Sequence, residues 1–313
     1  MKSPKVGICG WILAPLSSEH VLKTGFEEML KAAELGFKGI ELIVSTERQL
    51  KEFYTRDNIK KILEICETKG LTISQFVILS ELIEGLASMD NTQKQNALKV
   101  FREGVNIAKE LNVKIVNTVS QWPKIEAPFW YVPIYIHPVQ ADFARSDFKL
   151  TIKLPDEVKT WDKYWENYVD SIGQCTDIAA DAGLYFSLEV HPHSIVSTTD
   201  ALLLLFKEVG SNKLGANMDT GWHFTKREYI PLSIYRLRDR LLNMHVRDSD
   251  GFLQYNLPPG MGILNWVEIL RALKDIGYEG FMDFEFVAPG CEDFEDYLRR
   301  GKKYLEEMIE QIY

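Results

Sequence analysis

The pattern that repeats along the chain is a stretch of helical periodicity, a glycine or small polar turn, and then a short apolar run. Residues 24–35 (TGFEEMLKAAEL) carry apolar positions at helical spacing, stop at Gly36 and lead into GIELIV. Residues 57–69 do the same before Gly70 and LTISQFVIL, and the longer amphipathic stretch 92–111 precedes KIVNTVS. Residues 161–182 end at Gly183 ahead of YFSLEV, 199–209 at Gly210 ahead of LGANMD, and 265–276 at Gly277 ahead of GFMDFEF. A glycine at a helix end takes the left-handed cap conformation at little steric cost. The apolar runs predict eight strands, near 6–11, 39–44, 72–79, 114–120, 185–191, 214–219, 241–247 and 280–286. Strands alternating with helices run parallel and are joined by crossovers. Eight such units predict an α/β protein of one domain, a (β/α)8 TIM barrel over residues 1–313. An open doubly wound sheet is the runner-up; no G-x-G-x-x-G follows the first strand, where ICGWIL stands.

One segment breaks the rhythm. Residues 121–160 follow the fourth strand without helical periodicity and contain WPKIEAPFWYVPIYIHP. A loop after a barrel strand emerges on the catalytic face, so this insertion is expected to be either a lid or a contact with a second subunit. Its aromatics over 122–135 favour a homodimer or homotetramer. The composition, 46% hydrophobic and 26% charged, is that of a globular domain with a sizeable core. A net charge of -9 argues against nucleic acid or an anionic membrane as partner, because bulk electrostatics would repel both. Four cysteines (Cys9, Cys66, Cys175, Cys291) lie far apart with no C-x-x-C, which speaks against a disulfide framework and a zinc knuckle. MKSPKVGICGW enters a strand at once, and the longest apolar run, Ala201 to Phe206, is far short of a membrane span. The expectation is a soluble cytoplasmic protein.

Candidate chemistry concentrates on the later strands. In YFSLEVHP, Phe186, Leu188 and Val190 alternate with Ser187, Glu189 and His191. A carboxylate among large apolar residues needs a partner, because an unpaired buried charge is costly. Three later strand ends each carry another candidate: Asp219 in GANMDT, His245 in LLNMHV and Glu285 in FMDFEF. Taken singly, each has an ordinary structural explanation: a salt bridge, a turn cap, a satisfied core histidine, a lysine partner. Taken together, they end four successive strands whose C-terminal ends open into one mouth. Three carboxylates there repel without a counter-charge, and a divalent cation supplies it. Oxygen ligands with one imidazole suit Mn, Mg or Co, with Zn a further candidate, and leave positions open for a substrate.

Other residues frame that mouth. His191 lies two residues beyond Glu189 and shares its face, within reach of a substrate hydroxyl. Arg247, two beyond His245, either grips a substrate carboxylate or phosphate or pairs with Asp248. Trp11 is either an apolar wall for a sugar face or core. Glu41, in GIELIV, is either a group behind the metal or against the substrate, or one half of a barrel-floor ion pair.

LGANMDTG, NMHVRDSDG, PPGMGILNW and YEGFMDFEF, in this order after SLEVHPHS, resemble the sugar isomerase and epimerase superfamily with the xylose-isomerase-like barrel. The second half of the chain carries the resemblance; the first half matches in plan, including Glu41. The resemblance implies that Glu189, Asp219, His245 and Glu285 hold one divalent metal and that Glu189 and Glu285 remove and return a substrate proton. Many relatives carry a histidine two or three residues after the aspartate. Here the order is Asp219-Thr220-Gly221-Trp222-His223, a shifted register in which Trp222 takes that place and His223 becomes a candidate substrate contact. The related apurinic endonucleases bind several zinc ions through histidines on earlier strands, and QFVILS and VNTVSQ offer none. The function implied is a metal-dependent isomerase or epimerase acting on a small ketose, aldose or polyol through an enediolate. A metal-dependent dehydratase of the inosose-dehydratase kind and a non-catalytic sugar-binding barrel are the alternatives.

Overall fold

The computed structural model describes residues 2–14, 22–123, 156–251, 256–287 and 293–313. The expected lid or subunit contact lies mostly outside the described residues, as do the aromatics beyond Trp122 and Cys291. Eight strands close a barrel in sequence order, every neighbouring pair parallel. They are β1 (Lys5–Cys9), β2 (Gly39–Val44), β3 (Thr72–Ile78), β4 (Ile115–Val119), β5 (Tyr185–Glu189), β6 (Leu214–Asp219), β7 (Leu241–Val246) and β8 (Phe281–Phe284). Each expected strand is present, most ending one or two residues early. After β1 the chain turns into a 3-10 helix, Gly10–Leu13, so Trp11 sits on that turn rather than on the strand.

The helices follow the periodicity. They are α1 (Phe26–Glu34), α2 (Arg56–Lys69), α3 (Asn91–Glu110), α4 (Trp161–Asp181) and α5 (Thr199–Val209). Then come α6 (Thr220–Thr225), α7 (Ile230–Leu237), α8 (Trp266–Asp275) and α9 (Phe294–Ile312). Their ends are capped locally. The Thr55 hydroxyl accepts the Asn58 N–H at the start of α2, and Gly70 closes it at φ 67. Asp90 accepts from Thr92 and Gln93 to begin α3. The pair α6 and α7 escapes a periodicity reading. One is a single short turn after Asp219, and Pro231 looks like a breaker in the other. It stands in the first turn of α7, where its missing N–H has no partner to lose. Among the described residues no helix is long and apolar enough to cross a membrane.

Strand alternation separates two populations of side chains. Ile8, Ile40, Leu42, Phe76, Val116, Phe186, Leu188, Met218, Met244, Met282 and Phe284 are fully buried in the hydrophobic core that joins strands to helices. The alternate positions face the lumen, and many of them are polar. The proof is in bonds between strands that are not neighbours: Ser187 on β5 donates to Gln75 on β3 at 3.4 Å, and His245 on β7 lies 2.6 Å from Glu41 on β2. Such bonds can only cross the barrel interior. TIM-barrel interiors are usually filled by branched apolar residues; this one holds Asn117, Ser187, Asn217, Asn243 and Asp283 below the mouth, all fully buried.

Two ladder irregularities help aim this lumen. Ile40 pairs with Ile73 but Leu42 with Phe76, so Ser74 and Gln75 together oppose Glu41. Likewise Ala216 pairs with Leu241 and Asn217 with Asn243. An extra residue in one strand re-aims the side chains beside it. At Gly7 an added Cβ would overlap the Asp283 carboxylate and stand 3.2 Å from the Gly39 backbone. Gly7→Ala is therefore expected to cost about 1–3 kcal/mol, the range for overpacking an interior, read as a lowered denaturant midpoint at unchanged m-value.

Candidate metal centre at the barrel mouth

Glu189 ends β5, Asp219 ends β6, His245 lies on β7, and Glu285 follows β8 with its N–H still on the ladder, 3.3 Å from the Val246 carbonyl. One ligand atom from each of the four lies within 4.8 Å of all the others. His245 stands at the centre. Its Nδ1 is 3.2 Å from Glu189 Oε2 and 3.0 Å from Glu285 Oε2. The structure thus brings together all four residues that the sequence singled out.

Arg247 crosses the same group. Its guanidinium binds both Asp219 oxygens and donates to Glu285 Oε2 at 2.9 Å. The alternative partner, Asp248, is otherwise engaged: it accepts from the Ser249, Gly260 and Leu264 N–H groups and from Trp266 Nε1, gathering the PPGMGILNW turn around itself. His191 Nε2 is 3.1 Å from Glu189 Oε1. Trp122, His191, Trp222 and Arg247 form a continuous row of ring contacts along one side, the first edge-on and the second tilted. Ring centroids are 5.3 Å apart for Trp122 and His191 and 4.7 Å for His191 and Trp222, and the guanidinium lies 4.6 Å from the Trp222 ring. Trp122 is anchored by its Nε1, which donates to the Pro192 carbonyl at 3.1 Å.

The remaining expected contacts sit further back. His223 is fully buried on α6, where its Nδ1–H donates to the Asp219 carbonyl at 2.8 Å; Trp222 is the side chain that reaches the row. Trp11 is half-buried against the hydrophobic core. Glu41 is buried beneath His245. Beside His223, the Lys226 ammonium is buried without a hydrogen-bond partner among the described residues, and burial pulls it down to about 8 even though Glu228, Asp219 and Glu189 oppose the shift. Burial and Lys226 together push His223 down to about 4, so its ring is neutral.

Opposed charges set the other protonation states. Burial favours a neutral Glu189, but His245 and the His191 contact outweigh it and hold the carboxyl well below its usual range. Burial raises Asp219 despite Arg247, with Glu285 and Glu189 adding to the rise. Burial also works against a charged His245, yet Cys9, Glu285, Glu189 and Glu41 raise it well above the usual histidine value. A cation bound here would need the imidazole lone pair in place of that proton.

Several participants were not singled out from the sequence. Asn217 donates to Glu189 Oε2 at 3.0 Å, and Gln75 to Glu41 Oε2 at 2.6 Å. Asn243 donates to Asp283 Oδ2 at 2.9 Å. Cys9, Glu41 and His245 form a second close group under the first. A signal for most of these was present: Ser187, Asn217, Asn243 and Asp283 each stand two residues before a ligand, on the same strand face.

Do these residues suit a divalent cation? Three carboxylates and one imidazole, convergent, largely buried and at the C-terminal ends of strands, supply oxygen-rich ligands with one nitrogen, and the donor set fits. The fold and site define the class: a TIM barrel whose last four strands gather a carboxylate–imidazole cluster. The xylose isomerase-like TIM barrel model matches residues 29–308, and the chain belongs to that family. Among curated relatives, the D-psicose 3-epimerase of Ruminiclostridium cellulolyticum is 25% identical over 83% of this chain and 78% of its own. An inosose dehydratase of Lacticaseibacillus casei is 25% identical over 54% of this chain and 61% of its own. The solved D-psicose 3-epimerase of Clostridium cellulolyticum with D-tagatose superposes with a TM-score of 0.71 at 20% identity, covering 98% of this chain and 99% of that one.

Proposed function

We propose that this protein is a divalent-metal-dependent sugar epimerase or isomerase that moves a proton at the carbon beside a ketose carbonyl. The observation that carries the reading is the placement of Glu189 and Glu285 on two sides of His245, both within 3.2 Å of its Nδ1. Two carboxylates flanking one centre can take a proton from one face of a substrate carbon and return it to the other. The psicose 3-epimerase relative supports this choice among reactions of the family.

Glu189, Asp219, His245 and Glu285 would hold the cation, with Mn, Mg or Co ahead of Zn. The cation supplies a Lewis acid that polarises the carbonyl and acidifies the neighbouring C–H. The other steps belong to the chain. Glu189, held ionised by its histidine neighbours, is a carboxylate free to take up the substrate proton in the resting site. Glu285, half on the ladder and touching Arg247, faces it as the second carrier. Arg247 balances the negative charge and presents donors toward a substrate oxygen. His191 orients Glu189, and the Trp122–His191–Trp222 row offers an apolar wall to a sugar face.

The test is incubation with 2-ketohexoses and Mn in deuterated water. The expected result is deuterium at the carbon next to the carbonyl together with the epimeric or isomeric sugar. A product lighter by one water would replace this reading with the dehydratase one, which the inosose dehydratase relative makes the second choice. No exchange, with no rise in melting temperature on adding Mn, would leave a non-catalytic sugar-binding barrel. At a hundredfold excess over its dissociation constant a bound ion contributes about 2.7 kcal/mol. For a chain of this length that is a rise of about 4 °C.

A further inference from the structure

We infer that Glu41 is a positioning residue for His245: its carboxylate takes the Nε2–H and thereby turns the Nδ1 lone pair toward Glu189 and Glu285. The inference rests on the metal reading above.

Burial comes first. Glu41 is 1% exposed and His245 2%, so their contact is shielded from water. The two side chains meet across the lumen, from β2 and β7, at 2.6 Å. Two bare acceptors at that distance would repel strongly in a site without water. An ionised Glu41 therefore requires a hydrogen on Nε2, and the contact becomes a short charge-assisted bond.

Glu41 cannot easily turn away. Gln75 Nε2 donates to the same Oε2 at 2.6 Å and lies 3.2 Å from His245 Nε2, its hydrogen committed to the shorter contact. Ser187 holds Gln75 from behind through its Oε1 at 3.4 Å, and Ser187 itself donates to Asn117 Oδ1 at 2.8 Å. The two-against-one register of β3 opposite Glu41 is what brings Gln75 into place. Asn217 Nδ2 lies 3.2 Å from both ring nitrogens of His245, over the ring, and donates to Glu189 Oε2 at 3.0 Å.

The consequence is chemical. With Nε2–H engaged by Glu41, Nδ1 is the ring nitrogen left to face a cation between Glu189 and Glu285. Metal-ligating histidines commonly donate their second N–H to a carboxylate in this way, and loss of that partner typically weakens binding 10–100-fold. Cys9 also lies within 4.8 Å of Glu41 and His245. A second ion in that lower group would need a bare Nε2, which the Glu41 bond denies; of the two groups among the described residues, the upper one alone is left for an ion.

The experiment is calorimetric titration of the full chain with Mn for wild type, Glu41→Gln and Glu41→Leu. It is paired with nitrogen-15 histidine spectra of wild type loaded with Zn, which is diamagnetic. One ion per wild-type chain is expected. Glu41→Leu should bind 10–100-fold more weakly, and Glu41→Gln, whose amide oxygen still accepts the Nε2–H, should recover most of that loss. The spectra should show His245 protonated at Nε2 alone. Wild-type affinity in Glu41→Leu, a hydrogen on Nδ1 in the loaded protein, or two ions per chain would each overturn the assignment while leaving the metal reading intact. If wild type binds no ion, the metal reading falls and this assignment falls with it. Should Glu41→Leu fail to fold, the wild-type spectra and Glu41→Gln decide the matter.

Discussion

Glu189→Gln and Glu285→Gln are each expected to reduce deuterium exchange into substrate by about 10²–10⁴-fold, the usual contribution of a positioned acid or base. The amide keeps the shape of the side chain and can still lend an oxygen to a cation, but it cannot accept the proton. The two variants should therefore retain a measurable Mn-dependent rise in melting temperature while losing exchange. That separation is the point of the design. A variant that loses both has lost the ion, and the kinetic result would then say nothing about proton transfer. Full exchange in both variants, measured by mass spectrometry of the recovered sugar, would remove both carboxylates from the proposed roles.

Arg247→Met should produce the second large effect, on stability. In the present arrangement one guanidinium is shared by Asp219 and Glu285, both in a largely water-free site. Removing one side of a buried ion pair costs about 3–5 kcal/mol, because the charges left behind have no compensation. For 313 residues this is a fall of about 5–8 °C in melting temperature. The added feature is the metal response. With the arginine gone, a divalent cation becomes the main counter-charge for three carboxylates, so Mn should raise the variant's melting temperature by more than it raises that of wild type. Thermal unfolding with and without Mn reads both quantities. An equal or smaller metal response in the variant would show that the arginine does not balance these carboxylates.

Much of this was legible in the sequence, for reasons that differ by residue. The barrel followed from helices ending at Gly70, Gly183 or Gly210 before short apolar runs, a signal local to each unit. Glu189, Asp219, His245 and Glu285 were legible because a charged residue in an apolar strand is an anomaly that demands an explanation. Arg247 left two partners open, and the choice of Asp219 and Glu285 over Asp248 depends on the turn after β7, which wraps Asp248 in backbone N–H groups. His223 was a candidate contact because proximity to Asp219 in sequence suggested proximity in space. The short helix α6 instead folds the ring back onto the Asp219 carbonyl and hands the outward place to Trp222. Gln75 was invisible because its position depends on a register shift in β3, and register between distant strands leaves no mark in a single strand's pattern.

The lumen's lower tier of amides, hydroxyls and one carboxylate has a consequence for how such a protein changes over time. Everything that seats the proposed ion, together with what braces it from beneath, is carried by staves or, for Glu285, by the residue directly after one. Connections can lengthen, shorten or be replaced, and the seat keeps its shape. New sugars can then be recruited by editing the rim alone, while an alteration deep inside the bore, far from any sugar, would detune every substrate at once.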